Sequence, residues 1–136
     1  PQSIGPKTLG GLRTNVRVGI AYLEGWQRDI GCVGWDNLME DLATLEISRA
    51  QTWQWLHHKA ALEDGSTVNE ALVRKVFKDE LARIVEQESA AIAKSRGVSQ
   101  QEVVRSFTRA AHEAESIFTR NELTEFLYTA SEPVSN

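Results

Sequence analysis

The sequence predicts an all-α protein, a bundle of about five helices packed by ridge-into-groove contacts. Apolar residues recur at three- and four-residue steps along nearly the whole chain after residue 8. The two-residue alternation of a half-buried strand is absent. Glycine and serine stand where those helical patterns break.

The elements follow in order. Leu12, Val16, Gly19, Ile20, Leu23, Trp26 and Ile30 line one stripe of a first helix from about Thr8 to Ile30, with Gly31 as its stop. A turn-rich stretch, Cys32-Val33-Gly34-Trp35-Asp36-Asn37, leads to a second helix starting near Asn37 or Asp41 and ending at His58. Its Leu42, Leu45, Ile47, Trp53, Trp55 and Leu56 spread over more than one face, which predicts a largely buried helix. After the turn Glu63-Asp64-Gly65-Ser66, either Ser66 or Thr67 is the expected cap of a third helix, with Glu70 completing a capping box. Leu72, Val76, Phe77, Leu81, Ile84, Val85 and Ile92 continue an apolar face until Gly97 ends it. Ser99 caps a fourth helix, whose stripe is Val103, Phe107, Ala110, Ala111, Ala114, Ile117 and Phe118. A short last helix carries Leu123, Phe126 and Leu127 before Pro133.

A chain of 136 residues has room for one core. Residues 1–7 read as a connector or the start of a fragment, 8–130 as the helical domain and 131–136 as a polar tail. No apolar run reaches the roughly 18 residues a bilayer demands, and no secretory signal is read. Fifteen basic against nineteen acidic residues give a net charge of −4, which disfavours nucleic acid and anionic membrane as partners. The lone Cys32 cannot close an internal disulfide, so a reducing, cytoplasmic setting is expected.

The residues with chemical potential lie between Gly31 and Thr44. Glu40 and Asp41 are adjacent carboxylates where a turn becomes a helix, and acidic residues in a first turn are favoured simply by the unpaired N–H groups there. Apolar Met39 and Trp35 offer a drier pocket that would raise a carboxylate's pKa and make it a better base, while the helix dipole acts in the opposite sense.

A longer pattern surrounds the pair. Gly31-Cys32-Val33, Asn37-Leu38-Met39-Glu40-Asp41, Ala43-Thr44, Glu46-Ile47-Ser48-Arg49 and Trp53-Gln54-Trp55-Leu56-His57-His58 follow one another, preceded by Gly11-Leu12-Arg13-Thr14-Asn15-Val16, Val18-Gly19-Ile20-Ala21-Tyr22 and Trp26. This ordered block resembles the C-terminal region of malate synthases, and the shorter A-type more than the G-type. The resemblance implies the helical plug of a larger enzyme that condenses acetyl-CoA with glyoxylate and water to give malate and CoA in the glyoxylate cycle. It implies Asp41 as the base that deprotonates the acetyl methyl group, and Met39 as a residue near bound acetyl-CoA. It assigns Mg²⁺, glyoxylate and the enolate-stabilising arginine to a (β/α)₈ barrel, which needs about 250 residues and has no room here. An isolated plug is therefore expected to be inactive. Gly34 stands where the family usually has proline, and Leu42 and Leu45 stand where it has small residues. A second reading, a free-standing helical interaction module without catalysis, uses the tryptophan-bearing face to bind a protein partner.

Other residues read more plainly. His57 and His58 point about 100° apart on a helix and cannot share a metal, and His112 is distant. Cys32 reads as a packing residue, Glu40 as a cap or barrel contact. Glu46 and Arg49 form an i,i+3 ion pair at a helix surface or interface. The tryptophans read as core or interface anchors, some of them exposed without the barrel. Lys75 to Glu80 reads as a solvated face.

Overall fold

The computed structural model describes residues 7–29 and 35–120, with the backbone alone for residue 29 and residues 35–42. Four helices occupy these residues: α1 Leu9–Asp29, α2 Trp35–His57, α3 Glu70–Arg96 and α4 Gln100–Phe118. The expected last helix, with Leu123, Phe126 and Leu127, lies outside the described residues, as do Gly31, Cys32 and Gly34. No strand is formed among the described residues; Ala61 and Thr67 make one isolated antiparallel bridge.

Helix α1 is central. It packs against α2, α3 and α4, while α3 and α4 pack on each other and α2 meets α4 only marginally. The apolar stripe of α1 explains this: Leu12, Val16 and Ile20 are wholly buried and Leu23 nearly so. All seven stripe residues of α4 are buried. Phe118 lies edge-on to Phe77 of α3, with ring centroids 5.5 Å apart, a preferred geometry of aromatic pairs. Phe118 also lies on Gly19 of α1, where an added Cβ would come within 2.7 Å of the ring. Gly19→Ala is expected to destabilise the fold by about 1–2 kcal/mol. The overpacking cost of about 1–3 kcal/mol exceeds the helix-propensity gain of up to about 1 kcal/mol. Urea denaturation checks this; a variant as stable as the parent would show that the ring yields freely.

The third helix starts later than expected, and neither Ser66 nor Thr67 caps it. Ser66 is engaged elsewhere: its N–H and hydroxyl both donate to Asp64 Oδ1, at 2.9 and 2.5 Å. Those bonds hold the Asp64 carboxyl below the ordinary carboxylate range. Thr67 is committed to the bridge with Ala61, and Gly65 takes the left-handed φ of 91° that closes the turn. The tight link drops Leu62 and Val68 into the core before the helix begins. The cap is Asn69, extended at φ −135°, whose side chain accepts from Leu72 N–H at 2.8 Å. Gly97 ends α3 in the left-handed conformation, its N–H and that of Val98 both donating to the Ala93 carbonyl. Ser99 caps α4 by accepting from Glu102 N–H at 3.1 Å.

Two further expectations are corrected. Over its described side chains, residues 43–57, helix α2 is not largely buried: Ile47 is 70% exposed, because among the described residues α2 rests mainly on α1. The stretch from Lys75 to Glu80 is not one solvated face, since Val76, Phe77 and Glu80 are buried. Glu80 is four residues from both Val76 and Ile84 and so shares their inward stripe. There Arg17 of α1 reaches it at 3.5 Å and Arg83 at 3.2 Å.

Candidate active-site helix

The helix that carries the candidate base is α2. Its backbone is helical from Trp35, earlier than the expected Asn37 or Asp41. Glu40 and Asp41 thus stand in the second turn, beyond the first four N–H groups that lack intrahelical partners. This removes the first-turn position on which a capping explanation of the pair rests. The side chains of Asp41, Met39, Glu40 and Trp35 lie outside the described residues, and so does Leu42.

Further along, α2 is fastened to α1 by a seam that is partly polar. Leu45, Ser48, Arg49, Thr52 and Trp55 fall at helical spacing and are all buried. Leu45, one of the bulky departures from the family pattern, is 1% exposed and belongs to the core. Trp55 packs near Gly11, where an added Cβ would lie 3.6 Å from the indole. Asn15 of α1 donates to Gln51 of α2 at 2.7 Å, and the Thr52 hydroxyl returns to the Ser48 carbonyl at 2.9 Å. The expected Arg49–Glu46 pair forms at 2.6 Å. Arg49 is buried on this seam rather than spread over the surface, and its Nε lacks a hydrogen-bond partner. Trp53 Nε1 is likewise buried without one. The seam holds the second half of α2 against α1.

Among the described tryptophans none is fully exposed. Trp55 is buried, Trp26 stacks against Tyr22 with centroids 6.2 Å apart, and Trp53 stacks on His57 at 4.4 Å. Trp26 and Trp53 keep partial exposure while Trp55 is buried, and the side chain of Trp35 lies outside the described residues. His57 Nε2 is 3.0 Å from the Arg120 carbonyl, a bond it makes as donor. Among the described residues no three His, Cys, Asp or Glu side chains converge as a metal site would demand. Among the described residues, none of the helices is long and apolar enough to cross a membrane.

Sequence reading missed a buried carboxylate with several cationic and hydroxyl partners, Glu24 of α1. It is 2% exposed and accepts from both terminal nitrogens of Arg96, at 2.7 and 3.0 Å, and from the Ser106 hydroxyl at 2.6 Å. Arg28 approaches the same carboxylate at 3.4 Å. Burial pushes the Glu24 carboxyl up, but the bonds from Arg96 and Ser106 and the charges of Arg96 and Arg28 outweigh it, leaving the pKa below the ordinary 4.5. Arg96 also lies 5.8 Å from the ring centroid of Phe107. One carboxylate thus ties the C-terminal ends of α1 and α3 to the first half of α4. A signal was present: Glu24 is four residues after Ile20 and adjoins Leu23, inside the apolar stripe, with Arg28 four residues on.

Comparison with known proteins agrees with this architecture. A family profile described as "Malate synthase, C-terminal" matches residues 6–131. The chain is 42% identical over 125 residues to the "Bifunctional glyoxylate cycle protein" of Caenorhabditis elegans, covering 92% of this chain and 12% of that protein. It is 54% identical over 86 residues to "Malate synthase" of Myxococcus xanthus, covering 63% and 16%. It is 39% identical over 123 residues to "Malate synthase A" of Escherichia coli, covering 90% and 21%. The chain therefore spans between about an eighth and a fifth of these relatives. Matched from residue 6 to residue 131, and folded as helices throughout the regular part of its described length, the chain belongs to the malate synthase C-terminal domain family.

Proposed function

We propose that this chain is the part of a malate synthase that supplies the catalytic base, Asp41. The observation that carries the reading is the ordered block from Gly31 to His58 within the family match over residues 6–131. The Asp41 carboxylate takes a proton from the methyl carbon of acetyl-CoA, and the resulting enolate attacks the aldehyde carbon of glyoxylate. Water then cleaves the thioester, giving malate and CoA. Met39, two residues before the base, helps form the acetyl-CoA surface. Glu40 serves as a contact to the barrel.

A thioester α-carbon is a weak acid, so a carboxylate base suffices only where fixed positive charge meets the developing oxyanion. In this reading a (β/α)₈ barrel brings that charge, together with Mg²⁺ and glyoxylate. The chain's own contribution is positioning: the buried seam on α1 holds α2 still, so the base need not be ordered anew in each turnover. A cytoplasmic setting belongs to the same proposal.

The expected result of mixing is direct. A separately produced barrel portion and this chain should form malate from acetyl-CoA and glyoxylate together, and neither should do so alone. Malate formed by this chain alone would remove the barrel from the account. A fused, folded barrel-and-plug protein that forms no malate would end the reading.

A further inference from the structure

Four arginines, Arg28, Arg96, Arg105 and Arg109, line a groove of about 570 Å³ where α1 and α3 end and α4 begins. Arg28 and Arg96 share the Glu24 carboxylate. Arg105 and Arg109 are exposed, one turn apart on α4, and form no ion pair among the described residues. Glu102 also lines the groove; set with Glu24 against the four arginines, it leaves two positive charges in excess among the described residues. That excess stands on a chain whose net charge is −4, so it is a local concentration and not a reflection of bulk composition.

The groove's dimensions and chemistry narrow its ligand. Its volume lies within the roughly 300–1,000 Å³ of small-molecule sites. Val98 and Val103 give it an apolar stretch beside the arginines. Guanidinium groups present N–H donors in a planar fork that matches phosphate oxygens. Arg96 directs two of its N–H groups to Glu24, and its remaining donors are free of that carboxylate.

We propose that this groove binds a small phosphorylated ligand, its phosphate bridged by Arg105 and Arg109 with Arg96, held in place by Glu24, as a third donor. None of the residues lining the groove belongs to α2, so the proposal does not depend on the reading of Asp41. The phosphate has two possible sources, coenzyme A itself or a separate phosphorylated metabolite.

Titration calorimetry of this chain at low ionic strength, with pyrophosphate and with coenzyme A as probes, tests the proposal. Both variant arginines are exposed, so Arg105→Gln/Arg109→Gln should keep the parent's helicity by circular dichroism. It should weaken binding of the preferred probe by about tenfold or more, the loss of charge-assisted bonds. Lys59→Gln, just beyond the end of α2, should change binding by less than about twofold. Tighter binding of coenzyme A supports the site and names the coenzyme as its source; pyrophosphate binding equally well supports the site and names a separate ligand. Absence of binding by either probe at millimolar concentration, or an equal loss in the Lys59 variant, would overturn the proposal.

Discussion

Asp41→Asn in the barrel-bearing protein is expected to lower turnover by about 10²–10⁴, with acetyl-CoA binding nearly unchanged. Asparagine keeps the size and polarity of the side chain but has no basic oxygen with which to take a carbon-bound proton. The loss should fall on the chemical step, so kcat and kcat/KM should drop together while KM for acetyl-CoA holds. The same substitution should abolish exchange of the acetyl methyl protons with solvent deuterium. Single-turnover kinetics and that exchange, followed by NMR, make the measurement. Turnover near that of the parent would exclude Asp41 as the base. The fold offers a control: Asn69→Ala removes the α3 cap, far along the chain from α2's first turns, and should leave turnover of the folded protein unaltered.

Glu24→Gln is expected to have the largest effect on stability, about 3 kcal/mol, and to lower Tm on the order of 10 °C. Removing one member of a buried pair leaves the others without compensation, at roughly 3–5 kcal/mol. The lower end applies because Arg96 is 25% exposed and water can reach it. The pH dependence follows from the lowered carboxyl pKa. A group whose folded pKa lies below its unfolded value stabilises the fold fully above the unfolded value. That stability drains away as pH falls through the folded value. The parent should therefore lose stability below about pH 4.5 more steeply than the variant, whose amide does not titrate. Denaturation midpoints of both proteins across that range decide the matter. Parallel curves would mean that Glu24 is ionised to the same extent in folded and unfolded chains.

Much of the architecture was readable because one-dimensional spacing encodes it. The α4 stripe from Val103 to Phe118 is buried residue for residue as its three- and four-step pattern requires. Gly97 and Ser99 mark the α3–α4 junction because left-handed backbone and an N-cap oxygen are local demands met by local residues. The Asn69 cap was hidden for the opposite reason. Ser66 and Thr67 have the right chemistry, but Asp64 and the bridge to Ala61 had already claimed them. For the candidate site, the ordered block around Asp41 was legible as a resemblance, while the residues that steady its helix were not. Asn15 meets Gln51 across 36 positions, and no periodicity connects them.

By itself the sequence determined an all-α chain, most of its helix limits, its apolar stripes and its family, since each is written in residue type and short-range spacing. Only the tertiary structure decided that α2 leans on α1 with Ile47 facing outward, that Glu80 is buried, and that Glu24 gathers Arg28, Arg96 and Ser106. Those outcomes depend on which helix faces which. Contacts between residues 72 or 82 positions apart are fixed by the packing of whole helices, after local patterns have been satisfied.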